Sequence, residues 1–166
     1  PPRSTLFPYT TLSRSGSAIH SLSKTSNLAS YRAGFLAGDP AIIAELTELR
    51  KHAGLMVPYP IQVAFVAALQ DDEQEALQRL RYAQRRVRLL KAVIDAGFTV
   101  VNSEAGLYLW VTRDEDCWAT VDWFAERGIL VAPGEFYGPK SQTFVRLALT
   151  ETDENIDECV RRLASK

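Results

Sequence analysis

Apolar and polar positions change their pattern twice along the chain. Residues 1–16 are rich in Pro, Ser and Thr and follow neither a helical nor a strand period. The run from Ser4 to Ser15 resembles a translated sequencing adapter, so 1–16 is expected to be a non-native or disordered leader; a native flexible arm is the alternative. From Tyr31 to Gly38 an apolar stretch flanked by Gly predicts a short buried strand. Asp39-Pro40 then reads as a helix start, an N-cap acid followed by Pro at the first helical position, with the helix running from Ala41 to about His52. Pro58 and Pro60 interrupt the chain, and Ile61 to Leu69 reads as a buried helix. Asp71 and Asp72 cap a long amphipathic helix that reaches about Ala96 and ends at Gly97.

Beyond Gly97 the pattern shortens. Phe98–Val101 and Leu107–Val111 read as strands joined by a turn from Asn102 to Gly106. Asp116 to Arg127 reads as a helix closed by Gly128, and Ile129–Val131 as a short strand before a loop from Ala132 to Pro139. Phe144–Leu149 is a further strand, and Thr152 starts a last helix. Strands alternating with helices predict an α/β or α+β sandwich.

Composition narrows the classes. The chain has 166 residues, of which 46% are apolar and 23% charged, with a formal net charge of −1, ordinary for a soluble globular protein. Such a balance gives no electrostatic case for nucleic acid or for an anionic membrane. The basic group Arg79, Arg81, Arg85, Arg86, Arg88 and Lys91 is read as a solvated helix face. The apolar run Val63–Leu69 falls far short of the ~20 residues of a membrane-spanning helix. Cys117 and Cys159 lie far apart and are read as buried or semi-buried thiols, with no disulfide framework and no metal-ligand spacing. A reducing compartment, the cytoplasm, is therefore expected.

Chemistry concentrates between His20 and Phe35. Ser21 and Ser23 flank a leucine just before Lys24, and Arg32 follows eight positions on. A phosphate-bearing aldehyde needs an amine to condense with, a guanidinium fork for its dianion and hydroxyl donors. One loop offers all three.

Ser21-x-Ser23-Lys24 with Arg32-x-Gly34 resembles the cofactor-lysine motif of the class I/II, fold-type I, pyridoxal-phosphate-dependent aminotransferases. Downstream, Ala105–Trp110 resembles a small-domain strand of that family, Val131–Gly138 its Pro-Gly loop and Phe144–Leu149 its terminal strand. The resemblance runs from about Ser17 to Lys166 and is nearest to actinobacterial succinyldiaminopimelate aminotransferases. It implies an α/β fold, the C-terminal part of a fold-type I transferase: 17–71 the end of the large cofactor-binding domain, and 72–166 the small domain. It implies pyridoxal 5'-phosphate as cofactor, Lys24 as the catalytic amine and proton shuttle, and Ser21, Ser23 and Arg32 as cofactor-binding residues. Arg146 would grip the substrate α-carboxylate, an edge-strand ion pair being the alternative. No metal, nucleic acid or membrane is implied; the partners would be amino acid and 2-oxo acid substrates and a second subunit of a homodimer. The reaction implied is transfer of an amino group between glutamate and an oxo acid, N-succinyl-2-amino-6-oxopimelate of lysine biosynthesis. Rival readings are another fold-type I enzyme, such as a C–S lyase or a different aminotransferase, and the aminotransferase-like sensing domain of a transcription regulator.

Other residues carry less. His20 is read as a half-exposed histidine, His52 as a helix C-terminal residue, and Trp110, Trp118 and Trp123 as core. Tyr59 corresponds to a region that reaches the partner subunit's site in the family. The family's glycine-containing phosphate loop, ring-stacking aromatic, phenolic-oxygen donor and pyridine-pairing Asp all precede the lysine, and only 23 residues do so here. The chain by itself is therefore expected to transfer no amino group when mixed with donor, oxo acid and cofactor; turnover dependent on Lys24 would overturn that.

Overall fold

The computed structural model describes residues 17–54 and 56–165, so the leader read at 1–16 lies outside the described residues. The chain divides into two compact units, one through Gln78 and the other from Arg79.

The first unit opens with an antiparallel hairpin of β1 (Ser17–His20) and β2 (Phe35–Gly38), in which His20 pairs with Phe35. The expected strand over Tyr31–Gly38 is corrected on two points. Tyr31 belongs to a 3-10 turn whose amide bonds to the Leu28 carbonyl, so extended chain begins only at Phe35. None of the β2 residues is fully buried. β1 itself gave no signal, because four residues of mixed polarity are too few to show a period.

Helix α1 (Pro40–Ala53) starts as expected: Asp39 Oδ1 accepts from the amides of Ala41 at 2.8 Å and Ile42 at 3.3 Å, and Gly54 ends it with φ +72°. Helix α2 (Tyr59–Leu69) is present, but its expected burial is not. Phe65 alone is buried in it, while Val63 and Val66 are about half exposed. The helix is apolar on all sides, and among the described residues only one side is covered. Helix α3 (Asp72–Asp95) contains the boundary between the units, and Asp71 Oδ1 caps the Gln74 amide at 3.0 Å.

The second unit is a two-layer sandwich. Its sheet, in order β3 (Thr99–Val100), β4 (Tyr108–Thr112), β6 (Phe144–Ala148) and β5 (Ala132–Pro133), is antiparallel throughout. Helix α4 (Cys117–Ala125), helix α5 (Asp153–Ala164) and the later turns of α3 supply the other layer. Leu109 and Val111 of β4 and Val145 and Leu147 of β6 point inward onto Leu89, Val93, Phe124 and Ile156, forming the core. The short strand expected at Ile129–Val131 is displaced to Ala132–Pro133. The Ile129 amide is committed to the Phe124 carbonyl at 3.0 Å, so these residues close helix α4 before pairing can begin.

The basic face of α3 is not simply solvated. Arg85 is buried and donates to Asp153 Oδ1 at 2.6 Å and to the Leu149 carbonyl at 3.2 Å. Arg86 holds the β3–β4 turn through Ser103 and the Gly106 carbonyl, and Arg88 pairs with Asp157 and Asp153. The expectation missed that the facing acids lie more than sixty residues away in sequence. Of the three tryptophans expected in the core, only Trp123 packs against it: Trp110 lies on the opposite face of β4 from Leu109 and Val111, and Trp118 is 45% exposed, its indole N–H donating to Glu135 at 2.6 Å. Cys117 is buried, and burial pushes the half-buried Cys159 thiol up to about 11.

Two outcomes follow from these contacts. Arg113 and Thr120 donate to the same oxygen of Glu115, which holds its carboxyl below the usual range. A depressed folded-state value adds stability that is present above the ordinary carboxylate pKa and lost as pH falls through the lowered one. With the side chain partly solvated the effect is at most about 1 kcal/mol. Glu115→Gln should therefore flatten the acid limb of the melting temperature against pH by a few degrees, roughly 2–4 °C, and an unchanged limb would refute the linkage. In the first unit, Gln78→Leu deletes the bond that the Asn27 amide makes to Gln78 at 3.0 Å. Loss of about 1 kcal/mol should speed hydrogen exchange of the Ser26 and Leu28 amides roughly fivefold, read by mass spectrometry.

Candidate functional site

Residues 21–34 form the loop that the β1–β2 hairpin closes. Ser21-Leu22-Ser23 alternates: Leu22 is 3% exposed and serves as the inward anchor, while Ser21 is exposed and Ser23 half-buried. The two hydroxyls lie 2.8 Å apart, and Ser21 Oγ also accepts from the Ser23 amide at 3.2 Å. The Leu22 carbonyl accepts from the amides of both Ser26 and Leu28, so the chain around Lys24 curls tightly over its own anchor. Lys24 is exposed at this curl and forms no hydrogen bond or ion pair among the described residues.

Two side chains of helix α3 pin the curl from below. Gln74 Nε2 donates to Ser26 Oγ at 2.8 Å, and the buried Gln78 accepts from Asn27 Nδ2 at 3.0 Å. Their spacing of four residues places both on one face of the helix. Sequence reading missed this pair, although two glutamines four apart on a helix facing a Ser-Asn dipeptide are the signal that could have found it.

The far side of the loop carries Arg32. Its backbone is left-handed, φ +50°, as is that of Asn27 at φ +56°. Such a conformation is costly for a residue with a Cβ, about 1–2 kcal/mol, and persists where its surroundings enforce it. Here the Ala29 carbonyl accepts from both the Arg32 amide and its Nη1, at 3.3 and 3.1 Å. The remaining guanidinium donors are exposed. Gly34 explains itself by space: a Cβ there would lie 2.7 Å from the His20 carbonyl oxygen, where the two strands cross. Ser21 Oγ reaches the Ala33 carbonyl at 3.5 Å, so the serines and the arginine end of the loop are brought together. His20 stands beside them with its ring tilted onto Phe35, centroids 5.3 Å apart.

These residues suit a phosphate-bearing aldehyde. An amine without a partner, two adjacent hydroxyls and a guanidinium with uncommitted N–H groups share one loop, and the buried Thr25 Oγ1 next to Lys24 has no hydrogen-bond partner.

Arg146 belongs to the second unit. It sits on β6, which lies between β4 and β5, opposite Trp110 on one side and Ala132 on the other. This interior position, with no acid on it among the described residues, replaces the edge-strand ion pair as a description. Along β6 the inward Val145 and Leu147 alternate with Phe144, Arg146 and Ala148, which occupy the face away from the helices. On that face the Arg146 guanidinium carbon lies 4.1 Å from the centroid of Tyr108 and 5.2 Å from that of Tyr137. Trp110 stacks on Phe144 at 5.4 Å and meets Tyr137 edge-on at 5.4 Å. The loop bearing Tyr137 is turned by Gly134, where a Cβ would lie 1.9 Å from the Ser141 carbonyl oxygen.

Arg146 differs from its neighbours in one respect. Arg85, Arg86, Arg88, Arg113, Arg127 and Arg162, the other arginines of this unit that are not fully exposed, each donate to a carboxylate or a carbonyl. Arg146 donates to none among the described residues; its Nε is buried without a partner, as are those of Arg88 and Arg127, but those two have other N–H groups bonded. That arrangement is a cation held ready for an external planar anion. No group of His, Cys, Asp or Glu among the described residues could hold a metal, and no described helix is long and apolar enough to cross a membrane. Tyr59 is 75% exposed at the start of α2.

Comparison with known proteins adds the family. Over 146 residues the chain is 61% identical to a protein of Mycobacterium tuberculosis named as a probable aminotransferase, covering 88% of this chain and 35% of that protein. It is 56% identical to the 4-dedimethylamino-4-oxo-anhydrotetracycline transaminase of Streptomyces rimosus, with coverage of 88% and 41%. An LL-diaminopimelate aminotransferase of Dehalococcoides mccartyi is 31% identical, with coverage of 90% and 39%. Among solved structures, an aminotransferase from Staphylococcus aureus superposes with a TM-score of 0.76 at 28% identity, covering 89% of this chain and 40% of that one. The N-succinyldiaminopimelate aminotransferase of Mycobacterium tuberculosis shares the fold, with a TM-score of 0.78 at 22% identity and coverage of 94% and 43%. The chain thus spans about 35–41% of the length of the curated relatives it matches. With the family model for aminotransferase class I and II matching residues 9–163, the chain belongs to that family of pyridoxal-phosphate-dependent enzymes and carries part of its fold-type I α/β architecture.

Proposed function

We propose that this chain carries the cofactor amine and the carboxylate-binding arginine of an enzyme that moves an amino group between glutamate and an oxo acid. In this reading Lys24 would be the amine that holds pyridoxal phosphate, Arg32, Ser21 and Ser23 would supply donors for its phosphate, and Arg146 would bind the substrate α-carboxylate. When bound, the cofactor ring supplies the electron sink that lets a carbon next to nitrogen lose its proton. Lys24 would also be the base that carries that proton, a role that its having no competing partner among the described residues leaves open. Arg146 orients the substrate through a bidentate pair, so that one bond at the reacting carbon is presented and the others are not.

The observation that carries the reading is the absence of internal partners on the two groups it needs most. Lys24 and Arg146 both keep their donors uncommitted among the described residues, in a chain of the aminotransferase family. Residues 17–71 would end a large cofactor-binding domain, 72–166 would form the small domain, and the whole protein would be a cytoplasmic homodimer.

For the acceptor, N-succinyl-2-amino-6-oxopimelate is the favoured substrate. Support comes from the resemblance at Ser21–Asp39 and Arg127–Gly138, and from the diaminopimelate aminotransferases among the relatives. The 56% identity to a transaminase named for an oxo-anhydrotetracycline favours a second reading, amino transfer to a ring ketone.

The test joins this chain, from Ser17 onward, to the preceding part of the 61%-identical Mycobacterium tuberculosis relative. Borohydride reduction in the presence of pyridoxal phosphate should fix the label on the peptide containing Lys24, and Lys24→Ala should lower kcat by about 10²–10⁴-fold or more. A label on Lys51, Lys91 or Lys140 instead would overturn the assignment. Faster turnover of the succinylated oxo acid supports the first substrate; faster turnover of the tetracycline-type ketone replaces it with the second.

A further inference from the structure

We infer that Tyr108 and Tyr137 are positioning residues: their rings hold the Arg146 guanidinium charged and oriented while leaving its N–H donors for a substrate carboxylate. The inference rests on the carboxylate-binding role proposed for Arg146 and goes one step further, to what makes that role possible.

A partly buried cation must be stabilised by something. The other arginines of the second unit that are not fully exposed use hydrogen bonds to acids or carbonyls, Arg113 and Arg127 in addition to aromatic rings, and each such bond occupies a donor. An aromatic ring stabilises a cation through its negative face and occupies no N–H group. Arg146 has two rings near it, at 4.1 and 5.2 Å, and among the described residues neither an acid nor a carbonyl that its N–H groups bond. An arginine paired with a carboxylate would have to break that pair before binding another; an arginine held by rings does not.

The rings are themselves held in place. Tyr108 lies on β4, opposite Ala148 in the register and so diagonal to Arg146 on the same face. Tyr137 ends the turn that Gly134 permits, and meets Trp110 edge-on, while Trp110 stacks on Phe144. The guanidinium therefore rests against one ring on strand β4 and one on the turn that follows β5. Because the rings act through their faces, phenylalanine can replace either tyrosine and leucine cannot.

The experiment uses the full chain with the dicarboxylate glutarate as probe, following the Arg146 Nε–H signal by side-chain nitrogen NMR. Tyr108→Leu and Tyr137→Leu should each weaken glutarate binding about tenfold, which corresponds to ~1.4 kcal/mol, while Tyr→Phe at either position stays within about twofold. Methyl signals of Leu109 and Val145 report whether the core is intact. In the whole protein that carries this chain, the leucine variants should raise KM for the oxo acid about tenfold with kcat within about twofold. If the leucine variants bind glutarate like the parent, or kcat falls while KM holds, the ring clamp is wrong. If Arg146→Ala binds glutarate undiminished, or the parent shows no saturable shift, the carboxylate role of Arg146 fails first and the clamp with it.

Discussion

The antiparallel register of β4 with β6 is the constraint from which the second unit follows. Trp110 faces Arg146 and Leu109 faces Leu147. Since side chains alternate along a strand, a slip of one residue would move Arg146 into the hydrocarbon core and send Leu147 to the outer face. The slip is prevented because Leu109, Val111, Val145 and Leu147 are all at or near zero exposure, packed on three helices. Burial of four apolar side chains at roughly 1.5–3 kcal/mol each outweighs any local preference at the outer face. The core thus decides where the charge stands, and the outer face is free to carry chemistry.

The helical layer is tied to this sheet by arginines working in the ordinary way. Arg85 bonds the Leu149 carbonyl just after β6 and the first acid of α5, and Arg162 reaches back to the carbonyls of Arg127 and Gly128 just after α4. Exposed ion pairs such as Lys91–Asp95 contribute little. Arg85 is different because it is buried, so removing Asp153 would leave its charge without compensation. The same residue type therefore stands in two states in one small unit: structural ties where donors are filled, and, at Arg146, a guanidinium whose donors are not, which suits the receptor role proposed for it.

Much of this was legible in the sequence, for identifiable reasons. Helix ends were readable because the signals are local: Asp39, Asp116 and Thr152 accept from the first amides of their helices, and Gly97 and Gly128 have positive φ. The strands Leu107–Val111 and Phe144–Leu149 were readable because alternate residues are strongly apolar. What depends on partners distant in sequence was not: the roles of Arg85 and Arg88, the exposure of Trp118, the bare faces of α2, and the rings around Arg146. Tyr108 and Tyr137 are twenty-nine positions apart, and no spacing rule joins them. The motif Ser21–Lys24 with Arg32 and Gly34 was visible as a donor set, but its support by Gln74 and Gln78 was not, because only folding brings α3 beneath the loop.

The two groups on which the proposed function rests are held by different physics. Arg146 stands on a central strand whose underside is fully packed, so its backbone moves only when the core does. Lys24 stands on a loop in which Leu22 is the one buried side chain between Ser21 and Gly34, and the rest of the support is polar: two amides on one carbonyl, two glutamines, two left-handed residues. Such a loop has little apolar burial to resist opening, and individual hydrogen bonds contribute about 1 kcal/mol each. Its geometry is therefore well defined but inexpensive to disturb. That is a suitable setting for an amine that, in the proposed role, would have to alternate between two states, whereas a carboxylate receptor would gain from standing still.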